Sequence, residues 1–287
     1  MLASYFQLLR LPAVFTVWSN IIAAHLISTS GSFEWSVLSL TLCSSSAFYL
    51  GGMVLNDCFD LDEDLRERPQ RPLPSGAIPT SHAWRLGWGL ILLGIALAGA
   101  AGTQQLIIGI LLTFSIIAYN SWLKHHAVGC LIMGSCRYLN WLLGLAVVPL
   151  AIEHYLLPLP ILLYIMAITI LSRIETTANQ EGPITACIAG IIAAAIAIFS
   201  LYYFDLLSTL WPVILGIILL LVMVAHLAKL YSKMEPTHIQ RSVKILLMGI
   251  IPLDAMMVSA TGLWWGGLIV ILLLIPGQLL VRIIKIT

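Results

Sequence analysis

Apolar residues fall in ten runs, each long enough to span a bilayer, separated by short polar stretches. The runs cover about 11–28, 37–56, 85–102, 105–122, 130–151, 157–173, 184–204, 209–230, 243–261 and 263–284. Segments of this length and polarity predict membrane-crossing helices, because only a helix satisfies its own backbone hydrogen bonds in lipid. Pro158, Pro160, Pro212, Pro252 and Pro276 fall where they start or kink a helix. Only Thr261-Gly262 divides the last two runs. The first run has no cluster of positive charge before it and no A-x-A-like exit, so it is expected to be a retained helix. The pattern therefore predicts an all-α, polytopic transmembrane helical bundle, one unit across residues 1–287.

Composition agrees. The chain is 60% hydrophobic and 9% charged, with mean hydropathy +1.00 and formal net charge +1. That balance fits an integral, multi-pass protein with membrane lipid as its surroundings, and it excludes nucleic acid as a partner. Ten spans place all fourteen Lys and Arg residues on or near one side. The opposite loops carry Glu34, Glu153, His154 and Asp205. The positive-inside rule then makes the basic side cytoplasmic, and the expected location is a bacterial inner (cytoplasmic) membrane. The five cysteines show no C-x-x-C spacing and read as small apolar packers. Tryptophans near the span ends read as an interfacial belt.

In so apolar a chain, one polar stretch stands out: Asn56-Asp57-Cys58-Phe59-Asp60-Leu61-Asp62-Glu63-Asp64, followed by Arg66, Arg68 and Arg71. On a helix, residues 56, 60 and 64 drift only about 40° per four-residue step, so they share one face. Asp57 lies at its edge and Asp62 points away. A row of carboxylates escapes mutual repulsion by holding a divalent cation, and nearby arginines suit an anion shared with it. The simplest reading is a magnesium-bridged diphosphate. Other polar residues gather at the same side: Tyr119 to Lys124, then Arg137, Tyr138 and Asn140, then Arg173, Glu175, Asn179 and Glu181.

These residues resemble the UbiA-type intramembrane prenyltransferases. N-D-x-x-D-x-x-x-D is matched by Asn56, Asp57, Asp60 and Asp64, and the R-P-L-x-S-G run by Arg71 to Gly76. Tyr119 and Lys124 correspond to the aromatic-plus-lysine element of the second cytoplasmic loop. The resemblance implies nine family-like helices with this chain's tenth added at the C-terminus, a central cavity, Mg²⁺, a prenyl diphosphate donor, and a hydrophobic or aromatic acceptor. The family's second aspartate motif is replaced by Glu175 and Asn179 at four-residue spacing, then Glu181, with no aspartate. In this, and in the extra helix, the chain is similar to the divergent EboC-like branch.

Diphosphate leaves an allylic carbon only when its growing charge is neutralised. Mg²⁺ on Asn56, Asp60 and Asp64, with Glu175 in the place of a family aspartate, would supply that, together with Arg68, Arg71 and Lys124. Asp60, Asp64 and Lys124 are the expected catalytic residues. Asn56, Asp57, Arg68, Arg71, Tyr119, Arg137, Asn140, Glu175 and Asn179 are the expected substrate contacts. Tyr138 or Trp141 would face the developing cation. Competing readings stay open. The basic residues could set topology or contact lipid headgroups, and Arg137 with Asn140, three apart on one face of the fifth span, could reach the diphosphate or Glu175 or form an interhelical polar clamp. Asp254 is an intramembrane carboxylate and so a site candidate, or an acid bonded to backbone freed by Pro252. A non-catalytic binder or carrier of prenyl or other lipophilic compounds is the alternative function, favoured by the aspartate-free third loop. The D-G-x-x-A-R signature of CDP-alcohol phosphotransferases is absent.

Overall fold

A computed structural model describes residues 2–175, 180–232 and 234–283, all in helices, turns or loops. The order is α1 (Leu2–Leu9), α2 (Val14–Ser28), α3 (Trp35–Phe59), α4 (Leu61–Glu67), α5 (Thr80–Ala101), α6 (Thr103–Ala118) and α7 (Val128–Leu145). It continues with α8 (Ile152–Leu156), α9 (Leu159–Ser172), α10 (Gly182–Tyr203), α11 (Leu210–Ala228), α12 (Pro236–Met248), α13 (Ile250–Ala260), α14 (Trp264–Leu272) and α15 (Leu274–Ile283).

Among the described residues, nine helical segments are long and apolar enough to cross a membrane: Ser4–Ser28, Trp35–Phe59, Thr80–Ala101, Thr103–Leu123, Val128–Leu145, Ile152–Ser172, Gly182–Tyr203, Leu210–Ser232 and Pro236–Ala260. The first, third, fifth, sixth and ninth segments differ from the expected runs by five residues or more at one end, and for two of them the physical reason is plain. The sixth segment starts at Ile152 because α8 precedes Pro158, where the chain turns into α9. The ninth starts at Pro236, a residue suited to the first turn of a helix. The expected tenth helix is Trp264–Leu280, shorter than the others and divided at Leu273. Its first part packs on α13 and α2, and its second on residues 11–13, so it runs back toward the end that carries Arg10.

Successive spans touch around the bundle, α2 to α3, α3 to α5, and onward to α11 and α13, and α13 closes against α2. α2 also packs on α7, which draws the first and fifth segments together. Without a hydrophobic drive between helices in lipid, close approach depends on small residues. α3 and α5 show this: Gly94 lies against Phe48 so closely that a Cβ there would sit 2.8 Å from the ring. All five cysteines are free, as expected.

Candidate active site

The acidic face forms where α3 meets α4. The i→i−4 ladder carries through the junction: Asp60 N donates to Asn56 O (2.9 Å), Asp64 N to Asp60 O (2.8 Å) and Arg68 N to Asp64 O (2.9 Å). Residues 56, 60 and 64 therefore keep their helical register, and with Asp57 all four side chains are buried while Asp62 is exposed. Buried carboxylates need counter-charge, and four cations from three different segments provide it.

Arg71 Nη1 lies between both oxygens of Asp64, at 2.9 and 2.8 Å, and 3.8 Å from Asp57. The loop that delivers it is anchored by Leu73 and Ile78, which pack with Leu8, Val54, Cys58 and Ala83 beside the acidic face. Backbone bonds from Ser75 N to Arg71 O and from Ile78 N to Pro72 O close the loop on itself. Its tight turn passes through Gly76 at φ +73°, a conformation natural only to glycine. Arg68 reaches Asp64 at 3.9 Å and Glu175 at 3.4 Å, so the third loop does meet the first motif. Gln240 Nε2 holds the same loop by donating to Glu175 O at 3.2 Å. Asn179 lies outside the described residues.

Lys124 pairs with Asp60. It is placed by a π-helical turn, Tyr119–Leu123, in which Lys124 N donates to Tyr119 O (3.0 Å). The wider turn shifts the lysine's direction relative to an α-helix, a device common at functional sites. The chain then doubles back so tightly that a Cβ on Gly129 would sit 2.1 Å from Leu123 O. Arg173 clasps the loop from outside, donating to the carbonyls of Lys124 and His126. Tyr119 lies within electrostatic reach of Asp60 and Arg173.

Two participants escaped the sequence reading. Arg10 Nη2 donates to Asp57 Oδ1 at 2.7 Å, from a left-handed backbone at φ 48° between α1 and α2. Asn120 accepts from Asn56 Nδ2 (3.1 Å) and donates to Gly52 O (3.3 Å), locking the amide of the first motif. Asn120 was visible beside Tyr119, but its partner was not. Arg10 carried only the signal of a cation at the edge of the first apolar run.

Other expected residues are placed elsewhere. Arg137 does not reach Glu175: its Nη2 donates to Thr16 Oγ1 (2.8 Å) and its Nη1 to Asn20 Oδ1 (3.2 Å). Asn140 accepts from Ser45 Oγ (2.6 Å) and donates to Val17 O (3.2 Å). This is the interhelical clamp, inside the bundle rather than on the acidic face. Tyr138 donates to Tyr155 O, and Trp141 is 1% exposed with its Nε1 donating to Asp254 (3.1 Å), so the Trp141 ring has no open face for the developing cation. Asp254 bonds to side chains of α2 and α7, not to backbone freed by Pro252.

As for a metal, no group of three or more His, Cys, Asp or Glu converges on one point among the described residues. Asp60 and Asp64, one turn apart with the Asn56 amide beside them, are hard oxygen donors. Mg²⁺ is ordinarily bound by one or two carboxylates plus substrate phosphate oxygens and water, not by an all-protein cage. The donor set fits that mode.

A sequence profile described as the UbiA prenyltransferase family matches residues 16–250. A digeranylgeranylglyceryl phosphate synthase of Saccharolobus solfataricus is 32% identical over 123 residues, 43% of this chain and 44% of that protein. Another, of Sulfurisphaera tokodaii, is 30% identical over 146 residues, 49% and 51% of the two chains. The chain thus spans about half the length of the relatives it matches. A solved structure of a digeranylgeranylglyceryl phosphate synthase superposes with TM-score 0.69 at 21% identity, over 91% of this chain and 98% of that one. A UbiA homolog of Archaeoglobus fulgidus bound to GPP and Mg²⁺ superposes with TM-score 0.54 at 15% identity, over 93% and 99%. These structures share the helical membrane fold.

Proposed function

Since the chain belongs to the UbiA prenyltransferase family, we propose that it is a Mg²⁺-dependent prenyltransferase, moving an isoprenyl group from a prenyl diphosphate to a lipophilic or aromatic acceptor within the membrane. The observation that carries this is the acidic face of Asp57, Asp60 and Asp64 met by Arg10, Arg68, Arg71 and Lys124. A solvated loop would have no reason to bury both signs of charge. The mixture suits an anion that arrives with its own cation.

Asp60 and Asp64, with Asn56 and Glu175 nearby, would hold Mg²⁺, which when bound neutralises the diphosphate and makes it a better leaving group. Arg68, Arg71 and Lys124 then exchange carboxylate partners for diphosphate oxygens, with Tyr119 and Asp57 shaping the same mouth. The allylic C–O bond breaks and its electron pair leaves with diphosphate. The acceptor forms the new bond to that carbon and loses a proton. The interior of the bundle takes the prenyl tail and keeps water from the cation. Arg137 and Asn140, inside the bundle rather than on the acidic face, would meet the acceptor. By the positive-inside rule this mouth faces the cytoplasm. The names of the relatives denote a glyceryl phosphate bearing geranylgeranyl groups, which supports geranylgeranyl diphosphate as the first donor to test.

The test is thermal unfolding of the purified protein with a non-hydrolysable geranylgeranyl diphosphate analogue, with and without Mg²⁺, followed by transfer of labelled donor. Mg²⁺-dependent stabilisation and transfer are expected. Stabilisation without transfer to any acceptor would favour the carrier reading. No stabilisation by any prenyl diphosphate would remove the donor site.

A further inference from the structure

Arg10, Tyr49, Cys136 and Arg137 lie among packed helices yet each keeps part of its surface open, which suits a space internal to the bundle. Tyr49 stands on α3 two helical turns before Asn56, about 10 Å further into the membrane at 1.5 Å per residue. It lies within electrostatic reach of both Arg10 and Arg137, and its hydroxyl has no hydrogen-bond partner among the described residues. Arg10 is paired with Asp57. Arg137 has no carboxylate within ion-pair distance among the described residues, and neutral oxygens of Thr16 and Asn20 hold it instead. A buried cation fixed in this way, and open on one side, is set to receive an electron-rich group.

What fixes it is one step further away. Asn20 can offer its oxygen to Arg137 only if its Nδ2 points to the other side, and there it donates to Asp254 Oδ2 at 2.7 Å. Asp254 also accepts from Ser19 Oγ (2.5 Å) and, through Oδ1, from Trp141 Nε1 (3.1 Å). Three donors thus converge on an acceptor that is 1% exposed, which suits a carboxylate. The carboxylate dictates which way the Asn20 amide faces, and Asn20 in turn dictates where Arg137 points. The same Asn20 oxygen accepts weakly from Asn140 Nδ2 (3.4 Å). The chain of contacts joins α13, α2 and α7 and gives every polar atom of Asp254, Asn20 and Asn140 a partner, so that the open donors are those of Arg137; a network satisfied in this way specifies one arrangement.

We propose that Asp254 is a positioning residue for prenyl transfer: acting through Asn20, it aims Arg137 into the internal space, where Arg137 and the Tyr49 hydroxyl hold the polar group of the acceptor. This rests on the transferase reading above. It gives the ninth span a part in acceptor specificity although Asp254 touches no substrate. An acceptor that suits the site carries a carboxylate, phosphate or phenolic oxygen that can lie well below the carboxylate level while its nucleophilic atom meets the donor.

D254N keeps the shape but replaces one acceptor oxygen with a donor. Either Trp141 or Asn20 then meets an N–H, and if Asn20 turns over, its amide nitrogen faces Arg137. The assay is steady-state transfer from geranylgeranyl diphosphate to two acceptors, 4-hydroxybenzoate and a geranylgeranylglyceryl phosphate, with their neutral alcohol counterparts as controls. Expected for D254N and for R137Q is a tenfold or greater rise in KM for whichever anionic acceptor the wild type uses. The kcat should change less than threefold, and Mg²⁺-dependent stabilisation by the donor analogue should persist. The swap N20D/D254N, in which the amide at position 254 donates to the carboxylate at position 20, should return KM to within threefold of wild type. A KM for D254N within twofold of wild type while R137Q raises it, or a swap no better than D254N, would overturn the proposal. Should D254N not fold, N20S removes the relay and leaves Asp254 with Ser19 and Trp141, and the same rise is expected. A double-mutant cycle of D254N and R137Q on the unfolding midpoint needs no activity: coupling is expected, and additive shifts refute the link. If the wild type transfers nothing, the transferase reading fails, and the cycle alone still decides whether Asp254 governs Arg137.

Discussion

Substituting Asp64 by Asn separates the chemical role of the acidic face from its structural one. Asp64 is 2% exposed and takes Arg71 Nη1 on both oxygens, with Arg68 at 3.9 Å. Removing one partner of a buried ion pair ordinarily costs about 3–5 kcal/mol, because the other charge is left unpaired. Here neither arginine is stranded: Arg71 keeps Asp57 at 3.8 Å and Arg68 keeps Glu175 at 3.4 Å. The amide fills the same volume, so no cavity opens. The stability loss should therefore be reduced to about 1–2 kcal/mol, below the full cost of a stranded charge. The chemical loss is larger. Asp64 would hold the Mg²⁺ that neutralises the leaving group, and losing that contact should lower kcat by about 10²–10³, the equivalent of about 2.7–4 kcal/mol, the scale of one preorganised stabilising group. Thermal unfolding of Asp64→Asn, with and without donor analogue and Mg²⁺, should show a folded protein whose Mg²⁺-dependent shift is gone. Single-turnover transfer of labelled donor then reads the rate. A variant that keeps the Mg²⁺-dependent shift and loses less than threefold in turnover would refute the assignment of this face to metal and diphosphate.

Three further outcomes follow from the same geometry. Arg71→Gln leaves Asp64 with Arg68 at 3.9 Å as its remaining counter-charge, so Mg²⁺ alone should raise its unfolding midpoint more than it raises the wild type's; equal shifts would mean the metal does not go to Asp64. Gly129→Ala drives a Cβ to 2.1 Å from Leu123 O; overpacking of about 1–3 kcal/mol should displace the π turn and Lys124, with turnover down at least tenfold, and wild-type turnover would deny that turn its role. Glu175→Ala breaks a pair whose partners are both 29% exposed, so stability should change by less than about 1 kcal/mol. Its donor affinity should nevertheless fall and be partly kept in Glu175→Asp. Equal affinity in both variants would make Glu175 structural.

The bundle was legible because hydrophobic length is a strong signal in a membrane chain: a run of about 20 apolar residues has few alternatives to a spanning helix. Asn56, Asp60 and Asp64 were legible because their spacing is local, and the helix preserved it. Residues that depend on distant partners were read less well. Arg10 approaches Asp57 across 47 positions of sequence, and Asp254 meets Ser19 and Asn20 across 235 and 234. Nothing in a one-dimensional pattern relates such positions. Arg137 was recognised as unusual, with Glu175 and an interhelical clamp both open to it, and packing on α2 decided for the clamp. Its three-residue spacing from Asn140 gave its helical face, whereas its depth in the bundle and the α2 residues opposite were settled by packing.

The aspartate-free third loop bears on how much charge the site can carry. Asp57, Asp60, Asp64 and Glu175 oppose Arg10, Arg68, Arg71 and Lys124, so the ion-paired residues sum to zero. A prenyl diphosphate brings about three negative charges near neutral pH, its last ionisation lying near that of other phosphate esters. One Mg²⁺ leaves the loaded site about one charge negative with the four cations already counted. One more carboxylate, an acid where Asn179 stands, would leave it about two charges negative and favour a second divalent ion. Replacing aspartates by a single Glu175, already bound to Arg68, thus lowers the demand for metal without stripping the diphosphate of counter-charge. On this argument turnover should saturate with one Mg²⁺ per diphosphate, with a Hill coefficient near one for Mg²⁺ once the donor's own complexation is accounted for. A clearly sigmoidal Mg²⁺ dependence would show that carboxylates outside these four complete a second metal site.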